Sequence, residues 1–470
     1  MKTTSVPKAS AEPLPEIAEF VEPFAPLFRR AQSRHSLQRY VTGLLTDLDR
    51  KNCDTIAQAL ADTSTERLQH LLTDADWSPS GLDSARVESL SARSPQGGVL
   101  VLDETSFPKQ GKSSAGVARQ YCGTLGKRAN CQVVVSAQYV ADEPESSSPL
   151  HWPVSGRLYL PEEQWANDLR RRKRAHVPEE VEFRTKPEIA LSLVNLSREW
   201  GVPFGVVVAD SGYGENPDFL KGLEERHIAY VCAVESSFGV RVPEEVRAAA
   251  EAGPPPYGGR GQPPKERPAP LRTAKEALRA LPEHSWREVV WREGTKGTLS
   301  KRMVAMRAHR ATGSARYSTA HRRVKTAEEG WLIGERPPAG EEGETKYYYS
   351  TLPANTTLAR LTALAHSRWS IEQFYEDAKG ECGLSDYQGR RWDGLHRHLA
   401  LVMLAYSFLM LHSSVTSEEH AGESFFPLYE TYHTTGDPQA GAGVAAARPG
   451  AMVHRYRPDK DLPPAQKLTK

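Results

Sequence analysis

Cysteine is scarce in this chain. Cys53, Cys122, Cys131, Cys232 and Cys382 are scattered through 470 residues, and no two form a C-x-x-C pair. An odd number at irregular spacing argues for reduced thiols and against a disulfide scaffold or a thiolate zinc site. His366, His396 and His398 show no zinc-ligand spacing either. MKTTSVPKAS at the N-terminus lacks an apolar signal core. The longest apolar run, Leu399 to Leu411, is too short to span a bilayer and predicts a buried helix, so no membrane partner is expected. A net charge of +1 excludes a global basic excess. There is no G-x-x-x-x-G-K-[ST] loop, so no nucleotide cofactor is expected, and no internal repeat is found. What is left, with 25% charged and 39% hydrophobic residues, is the composition of a soluble globular protein of several domains.

The most informative stretch is Ala365–Leu384, AHSRWSIEQFYEDAKGECGL, which carries Arg368, Glu372 and Lys379 in an R-x3-E-x6-K pattern. At about 100° per residue, positions i, i+4 and i+11 fall close together on one helix face. One carboxylate is thus bracketed by two cations. Ile371, Phe374, Tyr375 and Ala378 form an i, i+3, i+4, i+7 stripe that predicts packing on a core. Thr356 or Thr357 is the expected start of a single helix, and Gly380 or Gly383 its end. Ordinary surface helices carry such ion pairs too, so the pattern gains meaning only from carboxylates elsewhere.

Taken in order, residues 1–15 are Pro- and Ser-rich and expected to be disordered. Residues 16–95 show helical spacing, with Asp54 and Ser64 as candidate caps. Arg29, Arg30, Arg34 and Arg39 would suit a helical DNA-binding domain, and a plain helical bundle fits as well. From 96 to 235, Gly97–Phe107, Cys131–Val140 and His151–Leu160 predict strands in antiparallel contact, the first apolar run ending at Asp103. A helix over Pro187–Trp200, a doubly covered strand Phe204–Asp210, a helix over Pro217–His227 and a strand Ala229–Val234 follow. This order, three antiparallel strands and then strand–helix–strand, is that of an α/β, ribonuclease-H-like mixed sheet. After a Pro/Gly-dense stretch at 253–270, residues 236–352 predict an inserted β-rich subdomain with Lys301, Arg302, Arg307, Arg310 and Arg316 on or near its edges. The core resumes over 353–434, and 435–470 reads as a flexible basic tail. Further basic clusters stand at Arg170–Arg174 and Arg390–Arg397, where a solvated face or a flexible loop serves equally well as explanation.

Asp103 and Asp210 each end an apolar run, and Glu372 lies on a later helix. Open α/β sheets build sites at strand ends. Three converging carboxylates need a cation, and hard oxygen donors select Mg²⁺, with Mn²⁺ able to substitute. Two such ions about 3.5–4 Å apart would activate an attacking oxygen and stabilise a leaving one. Taken singly, each acid has a plain role as turn, cap or surface partner. After the first of these strands, Lys109, Lys112, Arg119, Lys127 and Arg128 alternate with small residues and are candidates to lie along a phosphate backbone, although an exposed β-hairpin explains them too.

DETSFPKQGKSSAGVARQYCGTLGKRANCQ, VVADSGYGEN and RWSIEQFYEDAKGECGL with GRRWDGLHRHLALVMLAYSFL downstream resemble bacterial insertion-sequence transposases of the DDE type, in the branch of DDE-superfamily endonucleases. The resemblance runs from roughly Arg34 to His412. It implies a ribonuclease-H-like core, the metal-binding catalytic triad Asp103, Asp210 and Glu372, and cut-and-paste transposition by strand cleavage and 3′-OH strand transfer. It also implies phosphate contacts by Arg368 and Lys379, double-stranded DNA (transposon ends and target) as partner, a homodimer on DNA, and a cytoplasmic, nucleoid-associated location. One position departs: where that family places a Tyr three residues before the Arg, this chain has Ala365, which puts a DNA hairpin intermediate in doubt. A catalytically silent DNA-binding regulator and a ribonuclease-H-like nuclease without strand transfer are the alternatives.

Overall fold

A computed structural model describes residues 15–143, 149–259, 267–294, 297–312 and 325–419. The expected basic tail, all but the last residue of the expected N-terminal disordered segment, and Arg316 lie outside them. Five helices come first: α1 (Pro15–Val21), α2 (Ala31–Leu45), α3 (Cys53–Ala59), α4 (Thr65–Thr73) and α5 (Pro79–Ser91). Ser64 caps α4 as expected. The cap of α3 is Asn52 and not Asp54, because from two residues further back its Oδ1 reaches the N–H groups of both Asp54 (2.9 Å) and Thr55 (3.1 Å). Arg39 is fully buried, which removes it from any DNA-facing surface, while Arg29 pairs with Asp76 at 2.8 Å.

The sheet begins with β1 (Gly98–Pro108), β2 (Ala118–Cys122), β3 (Lys127–Val140) and β4 (His151–Leu158), with β3 antiparallel to each of the others. After α6 (Leu169–Arg174) and α7 (Lys186–Glu199), β5 (Phe204–Ala209) joins β1 in parallel. Then α8 (Ser211–Gly214) and α9 (Pro217–Glu225) lead to β6 (Ala229–Val234), parallel to β5. Parallel strands covered on both faces require unbroken apolar runs, which VLVL in β1 and VVVA in β5 supply. The mixed α/β sheet is consistent with a ribonuclease-H-like core.

The β-rich region between 236 and 352 contains β7 (Gly239–Arg241), α10 (Pro243–Glu251), β8 (Arg272–Thr273), α11 (Ala274–Arg279), β9 (Arg287–Gly294), β10 (Gly297–Thr312), β11 (Lys325–Arg336) and β12 (Lys346–Ser350). These strands carry on the same sheet, since β12 pairs with β6. The basic residues here mostly face acids. Arg302 and Arg336 both reach Glu283, and Arg307 pairs with Glu329. Arg310, expected near an edge, is buried with its guanidinium on Glu224 (2.8 and 2.5 Å).

The expected single helix after residue 357 is two. Thr357 caps α12 (Leu358–His366), and α13 (Trp369–Glu381) starts after a shallow break. At the break the Ser367 hydroxyl donates to the Leu364 carbonyl and the Ser370 hydroxyl to that of Ser367, so side chains take acceptors that helix N–H groups would otherwise use. Gly383, in the left-handed region (φ 65°), follows α13. The apolar run lies in α14 (Trp392–Glu419). That helix is long and apolar enough to cross a membrane by length and composition, but 78% of its most apolar window is buried inside the protein. It packs on α2, α4, α5 and β4.

A buried arginine ties these layers together. Arg86 on α5 donates to Asp83 (3.0 Å), to the carbonyls of Val154 (2.7 Å) and Pro153 on β4, and to Ser407 on α14 (3.2 Å). Removing it takes from the buried Asp83 carboxylate its paired cation, leaving Ser155 to donate to Oδ2 at 3.0 Å, and takes a donor from two core carbonyls. Arg86→Ala should cost about 3–5 kcal/mol of unfolding free energy, measurable by urea denaturation.

Candidate active site

Asp103 is inside β1 and not at its end, because residues 103–108 go on pairing with β3 after the pairing with β5 has stopped. The last parallel pair is Leu102 with Ala209. The next residue on each chain is an aspartate, so the register alone brings Asp103 and Asp210 to adjoining positions. Asp210 also caps α8, its Oδ1 accepting the Tyr213 N–H at 3.4 Å, so a plain capping role coexists with that position.

Glu372 arrives from α13. Opposite Asp103 on β3 is Ser136, and cross-strand partners share a face. Ser136 and Tyr375 hydroxyls hydrogen-bond at 2.7 Å, with Tyr375 buried one turn after Glu372. This contact fixes the rotation of α13 over the sheet. Arg368, at the break before the helix, donates through Nη1 to Asp103 Oδ2 at 2.7 Å and through Nη2 to Glu372 Oε1. At the far end, Lys379 Nζ donates to Thr124 Oγ1 at 3.1 Å, beside the β2–β3 turn. All four residues of the predicted stripe, Ile371, Phe374, Tyr375 and Ala378, are buried.

The three acids differ in surroundings. Asp103 is 7% exposed, whereas the Glu372 side chain is about half exposed. Burial pushes the Asp103 carboxyl up to about 7; Arg368 opposes this, and the Asp210 and Glu372 charges add to it. Burial also lowers the Lys379 ammonium and raises the Tyr375 hydroxyl. Among the described residues, no three His, Cys, Asp or Glu side chains are disposed together as a ready metal cage. A guanidinium, that of Arg368, joins Asp103 to Glu372. The donor set itself is of hard carboxylate oxygens, which fits Mg²⁺ or Mn²⁺.

The other sequence candidates divide. Lys112, Arg119, Lys127 and Arg128 are exposed, and Arg128 donates to the Arg119 carbonyl at 3.3 Å. Lys109 is half-buried, and its ammonium donates to the Tyr387 carbonyl at 2.6 Å. The histidines are structural: His398 sits between the Tyr40 hydroxyl and the Gly383 carbonyl, His396 contacts the Trp392 carbonyl, and His366 stacks on Trp291. Sequence reasoning missed Ser136, although one polar residue interrupting CQVVVSAQYV was its available signal. It also missed Lys186, which pairs with Glu104 (2.5 Å), the neighbour of Asp103 in the alternating strand.

A carboxyl with a raised folded pKa binds its proton more tightly in the native than in the unfolded chain. Stability tied to Asp103 is therefore present at low pH and lost as pH rises from about 4 to about 7. Asp103→Asn removes that loss. Relative to wild type, its melting temperature should gain a few degrees between about pH 5 and about pH 8, read by paired thermal melts in chelator.

Comparison with known proteins converges on one family. A 239-residue stretch is 29% identical to "Probable transposase for insertion sequence element IS701" of Microchaete diplosiphon, covering 50% of this chain and 58% of that relative. The chain thus aligns with little more than half of the relative's length. The model of the DDE superfamily endonucleases matches residues 23–298, a span that contains Asp103 and Asp210 and ends before Glu372. With the match extending over more than half of the sequence, the chain belongs to the DDE superfamily endonuclease family.

Proposed function

We propose that the protein is a DNA transposase that cleaves strands at the ends of its element and joins the freed 3′-OH to target DNA. The observation that supports this best is the adjoining position of Asp103 and Asp210 on parallel strands, with Glu372 drawn to them through Arg368. Asp103, Asp210 and Glu372 would hold a divalent ion, of the kind that the family's endonucleases generally use. When bound, such an ion supplies charge for the scissile phosphate and an activated oxygen nucleophile. Arg368 offsets the mutual repulsion of the acids in the resting chain and is placed to meet a phosphate. Lys379, beside the β2–β3 turn, is placed to meet another, and Lys112, Arg119, Lys127 and Arg128 extend that charged edge. Lys109 holds the loop to the Tyr387 carbonyl.

In the same proposal, residues 16–95 form a DNA-binding helical domain, 236–352 an inserted subdomain, and two copies act together on paired ends. Ala365, in place of a tyrosine, favours a route without a hairpin.

Asp103→Ala should lower Mn²⁺-supported nicking of DNA carrying the gene's own flanking repeats by several orders of magnitude, with DNA binding largely kept. Cleavage at the wild-type rate would falsify the triad. Arg368→Ala and Lys379→Ala should each weaken DNA binding and flatten its dependence on salt by about one unit of slope, measured by fluorescence anisotropy. Slopes matching wild type in both would remove the phosphate-contact role.

A further inference from the structure

The three basic clusters of the sequence have different fates. In 301–325 the described arginines 302, 307 and 310 are paired with Glu283, Glu329 and Glu224. In 390–397, Arg391 is held by Asp74 and Asp393, and Arg397 donates to the Trp77 carbonyl. Helix α6, LRRRKR, is built otherwise. Two of its cations serve as scaffolding. Arg171 stacks on Trp165 (3.9 Å) and donates to the carbonyls of Gln164, Lys112 and Val117. Arg172 donates to the carbonyls of Ala166, Pro178, Glu179 and Val181. The Ala175 carbonyl accepts the Trp392 N–H at 2.7 Å, and Ala115 N–H donates to the Arg390 carbonyl at 3.0 Å. A helix of six residues is thereby held to the loop after β1, to residues 178–181 and to the start of α14. Arg170, Lys173 and Arg174 are exposed, at i, i+3 and i+4, and are in no ion pair among the described residues.

We propose that the face of α6 carrying Arg170, Lys173 and Arg174 is a second contact surface for the phosphate backbone of duplex DNA. It rests on the transposase reading and extends the bound duplex beyond the carboxylates. The helix is held to the loop that follows β1, and the exposed Lys112 and Arg390 belong to the segments pinning it. From Asp103 to Pro108 the extended strand covers about 17 Å, the axial length of about five base pairs or half a helical turn. A duplex with a phosphate at Asp103 that runs toward the loop following β1 would bring its backbone to the side of the molecule where that loop is held to α6. Holding Arg171 and Arg172 to main-chain carbonyls fixes the helix before DNA arrives, so less ordering entropy is lost on binding.

The test measures binding of a labelled duplex of about three helical turns, without divalent metal, across a salt series. Arg170→Ala/Lys173→Ala/Arg174→Ala should flatten the slope of log affinity against log salt by about 2–3 and weaken binding tenfold or more at about 0.15 M salt. Arg170→Lys/Arg174→Lys, which keeps the charges, should keep the slope. A triple variant that melts like wild type and shows the wild-type slope overturns the proposal. Wild-type Mn²⁺-dependent nicking is measured in parallel. Its absence beside an intact slope effect counts against the transposase reading and still supports the α6 contact.

Discussion

The constraint on which the site depends is the register between two parallel strands. Pairing Leu102 with Ala209 leaves the next residue of each strand to adjoin the other, and both are aspartates. Strands in a sheet are about 4.8 Å apart, and at an effective dielectric near 20 two unit charges at that distance repel by about 3 kcal/mol. That is a large share of the stability of an ordinary domain. Burial is the main cause that raises the Asp103 pKa, the Asp210 charge adds to it, and Arg368 opposes both by bringing a positive charge against the carboxylate.

Arg368 also joins Glu372 to the same cluster, but an ion pair to a half-exposed carboxylate is a weak positional device. The firmer one is the Tyr375–Ser136 hydrogen bond, made between two buried hydroxyls with no water to compete. Because Ser136 stands opposite Asp103, the bond references the helix directly to the aspartate. The break at Ser367–Arg368 has a role in this arrangement. Arg368 stands there as the residue preceding α13, and its side chain reaches both acids.

Charge elsewhere is sorted by the same competition between burial and solvation. Arg307 and Arg310 in the extended sheet are met by Glu329 and Glu224, since an unpaired buried charge would cost several kcal/mol. Arg170, Lys173 and Arg174 on α6 remain in water, where nothing requires a partner. A net charge of +1 therefore conceals a local basic surface beside the β1 loop.

Much of the architecture was legible before any coordinates. The apolar runs around Val99–Leu102 and Val206–Ala209 marked strands buried on both faces, and the stripe Ile371–Ala378 marked the packed face of a helix, because burial leaves a periodic signature in side-chain type. Asp103, Asp210, Glu372, Arg368 and Lys379 could be singled out by their position against those runs. The sequence could not say that Asp103 lies in mid-strand, that Ser367 and Ser370 divide a helix, that Ser136 anchors Tyr375, or that Arg302, Arg307, Arg310 and Arg391 meet acids while Arg170, Lys173 and Arg174 do not. Each of these depends on partners more than ten residues away or on competition between local hydrogen bonds. Local pattern encodes which face a residue turns to, and only the folded chain decides what it meets there.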